Sequence, residues 1–334
     1  MCIGTFSVEH PDYALILAAN RDEVLNRPTE HARFRRSFND HVETTGHAEA
    51  DILCGLDLQA GGTWLGLNKT SGCVIFLTNI TESYKTYELS RGYLVSSLLL
   101  PSLSGNSIKE EIQNLLDLKS RFAGFNLLVF IPQVSKSESD GLWRLSYEVT
   151  KLSNNGGGNP ITSRTLTSEE RKGGAMSNGI DGKGGDEWPK VKDATRSLRE
   201  VLKDDSERTE GPNPSRRSDE ELAEELFGIL SLCHHESPNI RYELRNTIQV
   251  VPFALSPQDT GNAESTKQAL HDSCPRAAYG TMLSTVILVK RNGEALFVER
   301  NIWGHGPDDI PAKSTDRSTD RVFRFKLAII PPSS

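Results

Sequence analysis

Two apolar runs separated by one polar turn open the chain, and this feature most constrains what the chain can fold into. The runs are Cys2–Val8 and Tyr13–Ala19, with Glu9-His10-Pro11-Asp12 between them. The second run is apolar almost throughout, whereas a strand with one face in water alternates apolar and polar residues. We therefore expect a β-hairpin that other layers of the protein cover on both faces.

The later pattern places strands at both ends of the chain and helices between them. We expect a glycine turn entering a strand over 61–68, and further strands over 73–79, 124–131, 142–152, 281–290, 295–301 and 321–330. Helices are expected over 91–100, 108–118, 188–202 and 219–232. Ser90 and Ser107 are suitable N-caps for the first two helices. This order predicts an α+β fold with two stacked antiparallel sheets between helical layers, a four-layer αββα sandwich. We expect one domain over 1–334, with flexible insertions at 154–160 and 203–218.

Composition excludes several classes of function. The formal net charge is -7 and no basic cluster is present, so we expect no nucleic-acid partner. The longest apolar runs, Leu94–Leu100 and Phe125–Ile131, are far shorter than the roughly 20 residues of a membrane-spanning helix. The N-terminus does not have the pattern of a secretory signal. These features predict a cytoplasmic protein with no integral membrane segment.

The cysteines predict neither a disulfide framework nor a metal site. There are five of them, without C-x-x-C spacing: Cys2, Cys54, Cys73, Cys233 and Cys274. The triplet Cys233-His234-His235 has no second cluster to complete a zinc site. We expect reduced thiols and no bound metal.

Cys2 begins the first apolar run, and Asn20-Arg21-Asp22-Glu23 ends the second. Once Met1 is removed, Cys2 carries a thiol with a pKa of about 8.5 beside an α-amine with a pKa of about 7.7–8.0. The amine can act as the base that activates the thiol. The alternative is an ordinary buried cysteine and an exposed strand end with weak surface ion pairs.

Motifs along the whole chain resemble those of the transport and Golgi organization protein 2 family, also called the NRDE family. They are Met1-Cys2, Leu15–Glu23, Arg27-Pro28, Gly61–Gly66, Leu77–Asn79, Gly124–Leu127, Ser177-Asn178 and Tyr279–Thr281. The resemblance implies an N-terminal-nucleophile hydrolase fold, similar to that of cysteine acylases that cleave bile-salt and penicillin amides. It also implies roles in Golgi organisation, protein secretion and haem or lipid handling, with association to the Golgi or the mitochondrion.

The same resemblance implies the residues of a site. Cys2 would be the nucleophile, Arg21 would stabilise its thiolate, and Asp22 would orient the α-ammonium. Asn79 would donate a hydrogen bond to an oxyanion, and Asn178 would be a second polar group in the site. The alternatives are a strand-end turn for Asn79 and a loop residue with positive φ for Asn178. Trp64 is read as a core residue or as part of the pocket wall.

One position departs from the family pattern. After Tyr279-Gly280-Thr281 the pattern leads us to expect an arginine, but the chain has Met282, and Arg276 is the nearest replacement. Two hypotheses therefore stay open. The first is a hydrolase of a small amide that acts through Cys2 and needs no cofactor. The second is a non-catalytic trafficking factor whose pocket holds an apolar ligand such as haem or a lipid.

Overall fold

The opening hairpin forms as predicted and lies inside the first of two sheets. β1 (Ile3–Ser7) pairs antiparallel with β2 (Tyr13–Val24), and Ile3 lies opposite Asn20. Alternate residues of β2 enter different cores: Leu15 and Leu17 pack between the two sheets, while Ile16 packs beneath helices. Because both faces are covered, every position in this part of β2 is apolar.

The structure is a computed structural model, and it describes residues 2–38, 50–83, 85–100, 105–118, 121–137, 141–210, 217–233, 241–255, 278–306, 308 and 310–328. All structural statements below refer to these residues.

The first sheet has seven strands. Besides β1 and β2 they are β10 (Gly174–Met176), β11 (Phe253–Ala254), β12 (Ala278–Lys290), β13 (Glu294–Asn301) and β16 (Arg321–Lys326). The main path of the sheet runs β10-β1-β2-β12-β13-β16, with β11 paired to β12. The strands predicted over 281–290 and 295–301 are present. The strand predicted over 321–330 forms over Arg321–Lys326, and residues 329–330 lie outside the described residues. The short strands β10 and β11 were not predicted.

The second sheet also has seven strands, and they follow one another in chain order. They are β3 (Thr29–Arg35), β4 (Ile52–Asp57), β5 (Leu65–Asn68), β6 (Val74–Asn79), β7 (Phe125–Lys136), β8 (Trp143–Ser153) and β9 (Thr162–Thr165). The predicted strands are present here, and β3, β4 and β9 were not predicted. A separate two-stranded ribbon contains β14 (Trp303–His305) and β15 (Pro311–Lys313).

Helices cover the outer face of each sheet. α1 (Arg91–Leu99) and α2 (Ile108–Leu116) pack on the second sheet, where Leu94 and Ile112 share a core with Ile75. α4 (Pro189–Glu210) and α5 (Asp219–Leu230) pack on the first sheet, where Leu198 and Leu226 share a core. With the core between the sheets, these layers form the predicted four-layer αββα sandwich, which confirms the α+β class.

The helix boundaries follow the predicted caps, with two differences. Ser90 and Ser107 cap α1 and α2 with their side chains, as expected. α4 continues to Glu210, eight residues beyond the predicted end at 202, and so covers part of the segment expected to be a flexible insertion. A short helix, α3 (Ser168–Lys172), was not predicted. That 154–160 and 203–218 are flexible insertions in one domain stays a prediction.

None of the helices in the described ranges combines the length and the apolarity needed to cross a bilayer.

Candidate active site

The five residues predicted for the site border one cavity of about 480 Å³. They are Cys2, Arg21, Asp22, Asn79 and Asn178. Four segments of the chain supply them, so only the folded sandwich brings them together. Their chemical roles stay predictions, and the geometry below describes what they can do.

Cys2 lies directly before β1, with two neighbouring strands beside it. The β1–β2 pairing sets Ile3 opposite Asn20 and so brings the start of β1 to Arg21 and Asp22. On its other side β1 pairs with β10, which leads into Ser177. The Ser177 hydroxyl donates a 2.8 Å hydrogen bond to the Cys2 carbonyl oxygen. The cysteine backbone is therefore anchored by the residue that follows the three-residue strand β10.

The segment after β10 joins the two sheets at the cavity. The Thr78 hydroxyl of β6 donates to the Ser177 carbonyl oxygen at 2.7 Å. Asn126 Nδ2 of β7 donates to the carbonyl oxygens of Ser177 and Gly179 at 3.0 and 2.8 Å. Because these donors belong to the second sheet, residues 177–179 are fixed between the sheets, and Asn178 is held in the cavity wall.

Asn178 has an oriented amide group. Its Nδ2 donates to the Asn79 carbonyl oxygen at 2.6 Å, and its Oδ1 accepts from Lys190 Nζ at 3.4 Å. Within the described residues, the hydrogen bond to the Asn79 carbonyl uses one of the two Nδ2 hydrogens. The other hydrogen can donate to a ligand. The alternative of a loop residue with positive φ is wrong, because the described non-glycine residues with positive φ are Asn155 and Asp308.

Asn79 is the last residue of β6, and it borders the cavity. Its backbone carbonyl accepts the hydrogen bond from Asn178, which ties the two asparagines together. A side-chain amide at this position can donate to a negatively charged oxygen in the cavity.

Arg21 is buried, with 4% of its surface accessible. The alternative of an exposed strand end is therefore wrong for this residue. Its guanidinium carbon lies 4.1 Å from the centre of the Trp64 ring, and its Nη1 donates to the Thr29 hydroxyl at 2.8 Å. Nη2 lies 3.6 Å from Asp57 Oδ2. Burial lowers the pKa of Arg21, while the charges of Glu23 and Asp57 oppose this effect.

Met282 lies beside Arg21 in an irregular part of the β2–β12 pairing. The register shifts between Thr281 and Leu283, and Arg21 Nη1 donates to Met282 Sδ at 3.4 Å. An arginine side chain here would place a second guanidinium beside the first, whereas the thioether accepts a hydrogen bond from it. Arg276, the predicted replacement, lies outside the described residues, as do His234 and His235.

Asp22 is also buried, with 3% accessible, and its carboxylate accepts a 2.6 Å hydrogen bond from the Thr281 hydroxyl. Its backbone carbonyl oxygen accepts from the Tyr279 hydroxyl at 2.8 Å. Burial raises the pKa of Asp22, and the nearby charge of Lys190 and the hydrogen bond from Thr281 act against that increase.

The Cys2 thiol is in a low-dielectric environment. Burial raises its pKa, and the carboxylate of Asp22 adds to this effect, while the guanidinium of Arg21 lowers it. A raised pKa means that the thiol is the resting form at neutral pH, so nucleophilic attack needs a base.

Lys190 was not predicted as a site residue. It is the second residue of α4 and has no accessible surface. Burial lowers the pKa of its ammonium group to about 8, and the charges of Asp22 and Cys2 oppose this decrease. The only signal in the sequence was a lysine in the first turn of a helix, where the helix dipole disfavours a positive charge.

The outer wall of the cavity combines Trp64 with a glycine turn and the start of α1. Trp64 has both of its predicted roles, because it belongs to the core between the sheets and also borders the cavity. Gly62 has φ +85°, and a Cβ there would lie 2.6 Å from the Gly92 backbone. Glycine is therefore needed at Gly62 for the turn and for its close approach to α1.

The fold is a four-layer αββα sandwich of the α+β class, with a cysteine directly ahead of an inner strand of the first sheet. Residues 1–304 match the family described as Transport and Golgi organisation 2, and the chain belongs to this family.

Relatives extend over almost the full chain. A Transport and Golgi organization 2 homolog of Mus musculus is 27% identical over 98% of this chain and 99% of its own length. An uncharacterised protein of Saccharomyces cerevisiae is 28% identical over 98% of this chain and its own full length. Among solved structures, a mutant of conjugated bile acid hydrolase from Clostridium perfringens aligns over 98% of this chain and 97% of its own, with 9% identity and a TM-score of 0.42. The last similarity says nothing about activity.

Proposed function

We propose that this chain is a cysteine amidohydrolase in which removal of Met1 frees Cys2 as an N-terminal nucleophile. One observation carries the proposal. A thiol, a guanidinium, a carboxylate and two asparagines come from four segments of the chain and border one cavity. Such a set contains a nucleophile, charged groups that control its ionisation, and hydrogen-bond donors for an oxyanion.

The proposed reaction has two stages. In the first, Cys2 sulfur attacks the carbonyl carbon of a bound amide, and the thiol proton passes to the α-amine of the mature N-terminus. The tetrahedral oxyanion accepts hydrogen bonds from the amides of Asn79 and Asn178. The carbon–nitrogen bond then breaks, and the leaving amine takes the proton from the α-ammonium. The products are a free amine and an acyl-thioester on Cys2.

In the second stage, water attacks the thioester carbonyl, and the α-amine accepts a proton from that water. The carbon–sulfur bond breaks, the carboxylic acid leaves, and the Cys2 thiol is restored by the same proton. Arg21 supports both stages because its positive charge lowers the pKa of the thiol.

The competing hypothesis is a non-catalytic pocket for haem or a lipid. The cavity wall contains the charged side chains of Arg21, Asp22, Glu23, Arg27 and Asp57. An apolar ligand would remove water from these groups without replacing its hydrogen bonds, which is costly. A small polar amide can make such hydrogen bonds, and the wall therefore favours the amidohydrolase. The family name supports a setting in transport and Golgi organisation, and the proposal places a role in protein secretion within that setting.

A panel of acyl p-nitroanilides, with short, aromatic and long acyl groups, tests the activity through the release of nitroaniline. We expect release by the wild-type protein and a loss of at least about 10³-fold in Cys2→Ala. Cys233→Ala is the matched control, because this cysteine is exposed and does not border the cavity, and it should be unaffected. Equal release by Cys2→Ala, or no release across the panel, would count against the proposal.

A cellular experiment separates the two hypotheses. Secretion of a reporter is measured in cells that lack this chain and then receive the wild type or Cys2→Ala. The amidohydrolase proposal expects rescue by the wild type alone. Rescue by Cys2→Ala, together with haem or lipid that copurifies with that variant, would favour the non-catalytic pocket.

A further inference from the structure

The segment that joins β6 to α1 borders the candidate active site along much of its length. We call it the rim segment, and its described residues are 80–83 and 85–90. Lys85 and Thr86 border the cavity and are also exposed, so the rim segment lies where the cavity meets the solvent. Cys2, in contrast, is only 8% exposed. The position of the rim segment therefore affects how wide the route to the Cys2 thiol is.

The backbone of the rim segment is tied to the rest of the fold at its start. The Ile80 N–H donates to the Gly124 carbonyl oxygen at 2.8 Å, and the Thr81 N–H donates to the Asn178 carbonyl oxygen at 2.9 Å. Between Thr81 and Ser90, the residues that the structure describes form no backbone hydrogen bond with one another or with other described residues. They also belong to no helix or strand. Side-chain contacts therefore decide where this stretch lies.

The Glu82 carboxylate supplies such a contact, because it joins the rim segment to two glycines at the end of the second sheet. Its Oε1 accepts from the Gly124 N–H at 2.6 Å, and its Oε2 accepts from the Gly157 N–H at 2.7 Å. Gly124 lies directly before β7, and Gly157 lies in the loop between β8 and β9. Hydrogen bonds to an ionised acceptor are roughly twice as strong as those between neutral groups. One side chain thus fixes the rim segment at two points.

Both glycines are needed for this contact rather than for their backbone conformation, since neither has positive φ. A Cβ at Gly124 would lie 2.8 Å from Ile80 Cβ and 3.0 Å from Glu82 Cδ. A Cβ at Gly157 would lie 2.7 Å from both Glu82 Oε1 and Tyr87 Cζ, and closer still to the Tyr87 hydroxyl. Tyr87 itself borders the cavity. The loop of Gly157 therefore has a backbone that the rim segment can approach closely.

We propose that Glu82 is a positioning residue of the candidate active site, which together with Gly157 holds the rim segment so that it selects by size what reaches Cys2. Neither residue borders the cavity, so both act through Tyr87 and its neighbours rather than by touching a substrate. In the proposed reaction this selection decides which acyl and amine groups fit beside Cys2, and to that extent the inference rests on the proposed function.

Two alkylating agents with the same reactive group but different sizes test the proposal, iodoacetamide and N-(1-pyrenyl)iodoacetamide. Each is added to the full chain, and the rate at which the N-terminal peptide is alkylated is measured by mass spectrometry. The ratio of the two rates reports access to Cys2, because a change in the reactivity of the thiol alters both rates alike.

Glu82→Gln keeps the size of the side chain but removes the charge and leaves one oxygen to accept from the two glycines. We expect it to raise the rate of the pyrenyl reagent relative to that of iodoacetamide about tenfold, the effect of losing one hydrogen bond to a charged group. Gly157→Ala should change the ratio in the same direction, because its Cβ would displace Glu82 and Tyr87. Glu88→Gln is the matched control, because Glu88 is an exposed carboxylate of the same segment that does not border the cavity. It should leave the ratio unchanged.

Three results would overturn the proposal. The first is an unchanged ratio in either Glu82→Gln or Gly157→Ala when that variant retains its fold, which a urea unfolding midpoint on the same samples establishes. The second is an equal rise in Glu88→Gln. The third is loss of the fold in both test variants, because the contacts would then be structural. Alkylation needs no turnover, so failure of the amidohydrolase proposal leaves this test intact, and failure here leaves the release of nitroaniline by the wild type unaffected.

Discussion

Replacement of Lys190 by methionine should make the protein more stable at neutral pH, although it removes a residue from the candidate site. Burial lowers the pKa of Lys190 to about 8, against an ordinary value of 10.5. This difference corresponds to about 3 kcal/mol of destabilisation when the lysine is charged in both the folded and the unfolded states. The favourable charges of Asp22 and Cys2 are already included in that pKa. Loss of the hydrogen bond to Asn178 costs about 1 kcal/mol, so we expect a net gain of about 2 kcal/mol.

The sign of the pH dependence follows from the lowered pKa. Below pH 8 the lysine is charged in both states, and the fold has the full cost of burying the charge. Between pH 8 and 10.5 the folded protein releases the proton before the unfolded chain does, so the wild type gains stability as the pH rises. The advantage of Lys190→Met should therefore be largest near pH 7 and should decrease steadily as the pH approaches 10.5.

Urea unfolding of both proteins at several pH values between 6 and 10 measures this difference. Lys192→Met, the exposed neighbour, controls for a general change in net charge and should show little change in free energy of unfolding. A Lys190→Met variant that is less stable than the wild type at pH 7 would refute the reasoning. A gain that stays constant across the pH range would refute it as well.

Three further predictions concern other parts of the molecule. Gly62→Ala should lower the free energy of unfolding by at least about 1–3 kcal/mol, and by more than Gly61→Ala does. Both glycines have positive φ, but only a Cβ at Gly62 would contact the Gly92 backbone. Equal losses in the two variants would contradict this. In the folded protein at pH 8, iodoacetamide should label Cys233 but not Cys54 or Cys73, because burial raises the pKa of each to about 12, and peptide mass spectrometry reads the result. Burial acts to raise the pKa of Asp181, but hydrogen bonds from Arg164 and Lys151 outweigh this effect and lower the pKa to about 2. Asp181→Asn should therefore lower the free energy of unfolding at pH 7. The difference in free energy from the wild type should shrink as the pH falls from about 4 to 2.

The layered fold could be predicted because its central strands carry a strong local signal. Tyr13–Ala19 is apolar at nearly every position, and a strand of that kind needs cover on both faces. The N-caps Ser90 and Ser107 likewise act within a few residues of the helices that they begin. By contrast, β10 has three residues and is held by its pairing with β1, so no periodic pattern could identify it.

The residues of the candidate site show the same difference between local signals, which the sequence reveals, and contacts that only the fold creates. Cys2, Arg21 and Asp22 could be placed together because one hairpin contains all three. The burial of Arg21 and Asp22 could not be predicted from their types, since charged residues are rarely buried. Lys190 lies in a helix rich in charged residues, and only the packing of α4 against β1 and β10 makes it part of the site.

Removal of Met1 is the step on which the proposed nucleophile depends, and intact-mass analysis of the protein purified from its native source measures it most directly. The account predicts a chain that begins at Cys2, and labelling of that residue by a chloroacetamide electrophile that Cys2→Ala abolishes. Quantitative retention of Met1 would contradict the account, because Cys2 would then have no α-amine to accept the thiol proton.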